Sequence, residues 1–119
     1  MKLGTDFYQI ISLDRTESGF TCRAELSANH PVYAGHFPEQ AVVPGVCTLA
    51  VIRECTGKAI GRDVVFETIK ECKFISALLP YDRLTLKLDF TLLNDTQLNG
   101  MVSCCNDNRT VLKLKATIK

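Results

Sequence analysis

The chain has little net charge and no long apolar run, and each absence excludes a class of protein. Its 119 residues include 14 basic and 13 acidic side chains, so the formal net charge is only +1. Runs of like charge do not occur, which argues against nucleic acid or an anionic membrane as the main partner. No apolar stretch approaches the roughly 20 residues of a membrane-spanning helix. The first residues lack the apolar core of a secretion signal, and we therefore expect a cytoplasmic protein.

The six cysteines lack the spacing of a metal or redox site. There is no C-x-x-C pair, and the adjacent Cys104 and Cys105 suit neither a zinc knuckle nor a redox motif. Without a secretion signal, reduced and buried thiols are expected. Cys47 stands in the first turn of a predicted helix, where a thiolate is favoured. Since the sequence places no second base beside it, we expect Cys47 to fill the core, and we predict neither a metal nor a cofactor.

The pattern of apolar residues predicts one domain, residues 1–119, in which antiparallel strands surround a single helix. We find no internal repeat, low-complexity tract or linker. Strands are predicted at residues 7–13, 20–26, 63–78, 83–93, 96–105 and 112–119. Alternation of apolar and polar residues is clean in the fourth and sixth of these, whereas residues 63–78 are mixed. The Asn-Asp-Asn sequence at 106–108 predicts a tight hairpin.

The helix is predicted from about Pro44 to Lys58, since proline is tolerated in a first helical turn. Residues 46–52 are apolar nearly all round, which indicates a helix covered on several sides. Gly57 or Gly61 suits its C-terminal cap. An antiparallel sheet that curls around one apolar helix can cover it, so the predicted fold class is α+β.

Residues 35–46, GHFPEQAVVPGV, are the most informative segment of the chain. They resemble the 3-hydroxyacyl-[acyl-carrier-protein] dehydratases of the FabZ and FabA type, whose signature is Gly-His-Phe-Pro, five residues, Pro-Gly-Val and a helix. Residues 73–84, KFISALLPYDRL, are similar to a second block of that family. The resemblance covers roughly residues 20–119. It implies the hot-dog fold, a curved antiparallel β-sheet wrapped around one central α-helix, and dimers whose sheets pair edge to edge.

The resemblance also implies an activity, the dehydration of a 3-hydroxyacyl thioester carried by acyl carrier protein or coenzyme A. His36 matches the catalytic base, and imidazole titrates near the working pH. Gly45 matches the glycine whose backbone N–H meets the thioester carbonyl, and a helix start has such an N–H free. An apolar slot for the acyl chain is expected to be lined or supported by Phe37, Val42, Val43 and Pro44, although core packing would use the same residues.

The chain departs from the family pattern fourteen positions after His36, where the family carries Glu or Asp and this sequence has Ala50. Three explanations are open. Glu54, one helical turn further along, could supply the acid. A related partner subunit could contribute the carboxylate, because active sites of the family lie at the dimer interface, in a homodimer or a heterodimer. Alternatively, the protein has lost dehydration and only binds acyl thioesters or their carrier. A thioesterase is a further alternative, disfavoured because that branch also generally uses a helix carboxylate.

Overall fold

The structure is a computed structural model that describes residues 7–27, 43, 45–78 and 84–119. Six strands and one helix occur in these residues: β1 (Tyr8–Arg15), β2 (Gly19–Leu26), α1 (Gly45–Ile60), β3 (Phe66–Phe74), β4 (Leu84–Leu93), β5 (Gln97–Cys104) and β6 (Arg109–Ile118). Among the described residues, no helix has the length and apolar character needed to cross a membrane. The predicted site residues His36, Phe37, Val42 and Pro44 lie outside the described residues.

The six strands form one antiparallel sheet in the order β1-β2-β4-β5-β6-β3, so β1 and β3 are its edges. Successive side chains of a strand point to opposite faces, and β4 and β6 confirm the predicted alternation. The residues of these strands that are buried in alternation are Leu84, Leu86, Leu88, Phe90, Leu112, Leu114, Ala116 and Ile118, and Val111, next to Leu112, is buried as well. One face of the sheet is therefore apolar along its central strands.

Helix α1 packs against this apolar face. Cys47, Val51, Ile52 and Cys55 are buried in the same core as the inward residues of the sheet. A single helix held by a six-stranded antiparallel sheet confirms the predicted α+β hot-dog fold. The prediction that α1 is covered on several sides is wrong at Val46, which is 64% exposed. The other residues of this run, 47–52, are buried or half-buried.

Residues with positive φ end the helix and form two of the hairpin turns. Gly61, with φ of 78°, follows α1 and donates its N–H to the Gly57 carbonyl at 2.8 Å. Of the two predicted caps, Gly61 is therefore the one that closes the helix. Asn94 and Asp95 turn the chain between β4 and β5, and Asn108 turns it between β5 and β6, with φ values of 54°, 56° and 58°. Asn and Asp tolerate this conformation better than most residues.

Strand β3 is shorter than the predicted stretch of residues 63–78 and lies at an edge of the sheet. It pairs with β6. Ile69 is 43% exposed and Phe74 is 54% exposed. The mixed sequence of this stretch follows from its position, because neither face of the strand is fully covered within the chain.

Candidate functional site

A cavity of about 280 Å³ lies at the N-terminal end of α1. The helix contributes Gly45 and Thr48 to its wall, and Val43 precedes the helix. The opposite wall consists of residues 74–78, which follow from the end of β3, and of Val111 in β6. None of the described residues that line this cavity is charged. Most of the lining residues are apolar, which is the lining expected of a slot for an acyl chain.

Hydrogen bonds fix the wall formed by residues 75–78. The Ser76 hydroxyl donates to the Thr110 carbonyl at 2.8 Å. The Val43 N–H donates to the Leu78 carbonyl at 2.8 Å. The chain before α1 and the chain after β3 are thus tied together. Val43 lies in the cavity wall, and its role toward an acyl chain stays a prediction.

Gly45 is the first residue of α1. Its N–H therefore has no acceptor within the helix, and it lies where the helix dipole favours negative charge. A Cβ atom at this position would lie 2.9 Å from Cζ of Phe74. The missing side chain of a glycine lets a substrate approach the backbone closely; in the structure, the Phe74 ring occupies part of that room.

Thr48 is a polar member of the cavity wall that the sequence analysis missed. It is only 3% exposed, and its side chain makes no hydrogen bond to any described residue. The one signal in the sequence is its hydroxyl group within the otherwise apolar run of residues 46–52. A buried hydroxyl without a partner is costly unless something else binds it.

Glu54 lies at a different cavity, farther along α1. It is nine residues beyond Gly45, or about 14 Å along the helix axis. The Tyr8 hydroxyl donates to Glu54 Oε1 at 2.8 Å, and Arg53 Nη2 lies 3.4 Å from Oε2. Burial, together with this hydrogen bond, raises the pKa of Tyr8 above its usual range. The structure does not bring Glu54 to the Gly45 cavity, and its assignment as the acid stays a prediction.

The position that lacks the family carboxylate is inside the protein. Ala50 is 6% exposed, and Cys47 on the preceding turn is 1% exposed. Burial raises the pKa of the Cys47 thiol, which confirms the prediction that this cysteine fills the core. All six cysteines are free thiols. Within the described part of the chain, no group of three or more His, Cys, Asp or Glu residues is arranged to hold a metal ion.

Comparison with known families decides where the chain belongs. The sequence model of the ApeI-like family, described as ApeI dehydratase, matches residues 12–111. This chain belongs to the ApeI-like family. The expected relationship to 3-hydroxyacyl thioester dehydratases is thereby confirmed at the level of the family.

Two curated relatives of this ApeI-like chain carry the name 3-hydroxyacyl-[acyl-carrier-protein] dehydratase FabZ. The protein from Chlamydia pneumoniae is 32% identical over 95 residues, which cover 72% of this chain and 62% of that protein. The protein from Macrococcus caseolyticus is 33% identical over 96 residues, which cover 71% of this chain and 66% of that protein. The alignment thus spans less than two thirds of the length of these relatives.

Solved structures share the fold of this ApeI-like chain. The dehydratase heterocomplex ApeI:P from Xenorhabdus doucetiae matches with a TM-score of 0.77 at 20% identity, covering 92% of this chain and 96% of that chain. A hypothetical thioesterase from Streptococcus pneumoniae, solved with coenzyme A, matches with a TM-score of 0.64 at 16% identity, covering 96% of this chain and 87% of that chain. At such identities, the likeness extends to the fold alone.

Proposed function

We propose that this ApeI-like chain acts in the cytoplasm and dehydrates a 3-hydroxyacyl thioester of acyl carrier protein or coenzyme A to the trans-2-enoyl thioester. The observation that carries the proposal is the N-terminal end of α1, where Gly45, the first residue of the helix, lines a mostly apolar cavity of about 280 Å³. An acyl chain suits an apolar cavity. A thioester carbonyl beside a helix start is stabilised when it becomes enolate-like.

The reaction assigns a separate task to each group. His36 takes the proton from C2 of the acyl chain, in the role that the family resemblance gives it. Negative charge then develops on the thioester oxygen, which accepts a hydrogen bond from the Gly45 N–H. The C3–O bond breaks, and an acid protonates the departing hydroxyl group so that it leaves as water. The electron pair of the broken C2–H bond becomes the new C2–C3 double bond.

We assign the acid to a partner subunit. None of the described residues lining the Gly45 cavity is acidic, and Glu54 is engaged by Tyr8 at another cavity. Strand β3 is an edge of the sheet with exposed Ile69 and Phe74. An open edge of this kind favours pairing with a second sheet. A second, related hot-dog subunit would pair with β3 and supply the carboxylate that position 50 lacks, since an identical subunit would carry the same alanine.

The same lack of a carboxylate supports a second candidate function. In it, the chain is a non-catalytic subunit that binds acyl thioesters or their carrier beside an active relative. Acid–base assistance is worth about 10²- to 10⁴-fold in rate. One missing acid therefore predicts slow dehydration, since the base and the amide donor remain, and full inactivity would point to the second candidate.

The test is the absorbance of the enoyl product after purified protein is mixed with 3-hydroxybutyryl-coenzyme A or the corresponding carrier-protein thioester. We expect slow formation of the enoyl thioester, and we expect His36→Ala to lower the rate by about 10²- to 10⁴-fold. His30→Ala is the matched control, because His30 is the other of the two histidines in the chain. It should leave the rate unchanged.

Three other outcomes would change the conclusion or sharpen it. A silent wild-type protein that gains activity with Ala50→Glu would establish the non-catalytic candidate. A silent protein that becomes active when mixed with a related subunit would confirm the partner-supplied acid. Release of free thiol without enoyl product would replace dehydration by thioester hydrolysis.

A further inference from the structure

We propose that Thr48 binds the 3-hydroxyl group of the acyl thioester and thereby selects hydroxylated acyl chains over unsubstituted ones. This inference rests on the proposed function, because it places the acyl chain in the Gly45 cavity. Thr48 lines that cavity, is 3% exposed, and makes no side-chain hydrogen bond to a described residue. It therefore offers a ligand a buried hydroxyl group in an otherwise apolar wall.

A second threonine of the same helix, Thr56, provides a comparison, because its buried hydroxyl group has a structural hydrogen bond. Thr56 is fully buried, and its hydroxyl donates to the Ile52 carbonyl one turn back, at 2.7 Å. Thr48 has no such bond to a described residue. Since burying an unpaired hydroxyl group destabilises a fold, the difference between the two threonines points to a ligand as the missing partner of Thr48.

The position of Thr48 matches the substrate atom that it would bind. It follows Gly45 by three residues, which places it about 4.5 Å farther along the axis on a neighbouring part of the helix surface. Helical side chains tilt toward the N-terminus, and this tilt directs Thr48 back toward Gly45. A thioester whose carbonyl oxygen meets the Gly45 N–H has its 3-hydroxyl group two carbon atoms away from that carbonyl.

Among the described residues of the cavity wall, Thr48 is the one whose hydroxyl group has both its donor and its acceptor capacity free. The hydroxyl of Ser76, which also lines the cavity, already donates to the Thr110 carbonyl. The other lining side chains described are apolar. Thr48 keeps its own proton in this role, because an aliphatic hydroxyl group does not ionise near neutral pH. It holds the oxygen that will leave and transfers no proton to it.

The direct test is equilibrium binding, measured by calorimetry in a His36→Ala background that stops turnover. We expect 3-hydroxybutyryl-coenzyme A to bind about tenfold more tightly than butyryl-coenzyme A, as one added hydrogen bond predicts. Thr48→Val should reduce this preference to about one, whereas Thr48→Ser should retain it. Thr56→Val, the matched control on the same helix, should also retain it.

Thermal unfolding provides a readout that separates binding from structure. Thr48→Val should melt at the same temperature as the parent protein or higher, because it removes an unpaired buried hydroxyl group. Thr56→Val should melt lower, because it removes a hydrogen bond. A clear drop in melting temperature for Thr48→Val would show that the hydroxyl group has a structural partner and would overturn the inference.

The binding outcomes distinguish this inference from the function on which it rests. If both thioesters bind equally to the protein that carries Thr48, or if the preference survives Thr48→Val, the inference fails and the proposed function stands. If neither thioester binds, the proposed function fails and the inference fails with it.

Discussion

Polar side chains in the C-terminal half of α1 have hydrogen-bond partners within the protein. At the N-terminal end, the buried hydroxyl group of Thr48 has no such partner among the described residues. Glu54 accepts a hydrogen bond from Tyr8, and Thr56 donates to Ile52. Gly61 closes the helix in a conformation that suits glycine. These two hydrogen bonds and the cap at Gly61 stabilise the fold, because each is made within the chain itself.

The N-terminal end of the same helix has a different chemistry. Gly45 has an N–H without an intrahelical acceptor, and Thr48 has a buried hydroxyl group without a described partner. Both adjoin a cavity with apolar walls. Because a buried hydroxyl group without a partner costs free energy, this end of the helix is the part of α1 to which we assign the proposed binding site. The comparison teaches that substitutions at one end should change activity and substitutions at the other should change stability.

Gly45→Ala gives the largest expected effect at the N-terminal end. The added Cβ would lie 2.9 Å from Cζ of Phe74 and would crowd the space beside the amide donor. We expect kcat/KM to fall by about 10²-fold, as small misplacements of a substrate can do. The melting temperature should change little, because Phe74 is 54% exposed and its ring can move.

The double variant Gly45→Ala with Phe74→Ala serves as the control for that experiment. If crowding of the substrate causes the loss, activity stays low after the ring is removed. Recovery of activity in the double variant would instead assign the effect to a displaced Phe74. Full activity of Gly45→Ala itself would remove this amide from the proposed reaction.

Tyr8→Phe tests the C-terminal end and should act on stability. Hydrogen bonds to charged groups contribute about 1.5–3 kcal/mol, and partial exposure of Glu54 lowers this value. We expect the free energy of unfolding, measured with denaturant, to fall by about 1–2 kcal/mol. Glu54→Gln should cost a similar amount, and the double variant should cost less than the sum. The rate of dehydration should stay within a few-fold of the parent in all three proteins.

One result would contradict this view of the Tyr8–Glu54 pair. A loss of 10²-fold or more in activity for Glu54→Gln, with unfolding unchanged, would make Glu54 the acid. The partner-supplied carboxylate would then be unnecessary.

The same pair predicts a pH dependence. The pKa of Tyr8 is raised above its ordinary value of 10.0, by burial first and by the hydrogen bond to Glu54 second. The folded protein therefore retains this proton after the unfolded chain has lost it. Its contribution to stability is complete below pH 10 and declines as the pH rises further, by up to about 1.4 kcal/mol per pH unit.

The pH dependence of the free energy of unfolding of Tyr8→Phe is the reference with which that of the parent protein is compared. Burial also raises the pKa of Cys47, and that thiol titrates in both proteins, so the difference between them isolates Tyr8. Equal slopes above pH 10 would mean that the Tyr8 hydroxyl is exposed to solvent in the folded state.

Gly61→Ala should produce the smallest effect. A Cβ at Gly61 would meet no atom within 4 Å, but φ is 78° there. The cost is therefore conformational alone, about 1 kcal/mol in the free energy of unfolding. Gly61→Asn should cost less, because asparagine tolerates this conformation. Thermal unfolding of the two variants checks the order, and a larger loss with asparagine than with alanine would refute it.

Elements whose burial follows a simple period could be predicted from the sequence. Strands β4 and β6 have one face on the core and alternate accordingly. The start of α1 near Pro44 and its end at Gly61 followed from helix-capping rules. Strand β3 gave no clear period, because it is an edge strand that is partly exposed on both faces.

Contacts between distant parts of the chain could not be predicted. The Tyr8–Glu54 hydrogen bond joins residues 46 positions apart, and no local sequence pattern predicts it. The exposure of Val46 depends on which side of the helix the sheet covers. Thr48 lies in an apolar run, and the sequence analysis therefore counted it as part of the buried helix. That its hydroxyl group lacks a described hydrogen-bond partner can be seen only in the folded protein. The predictions for His36, Phe37, Val42 and Pro44 fall outside the described residues and stay predictions.

The position of β3 in the sheet has a consequence for biosynthesis. Its partner β6 begins 35 residues after β3 ends. At ribosomal rates of 5–20 residues per second, β3 waits about two to seven seconds for a neighbour. Val111, which completes the cavity wall, belongs to the same late strand. A nascent chain therefore carries its helix start well before it has a pocket, and the proposed acyl site is complete only after translation has passed β6.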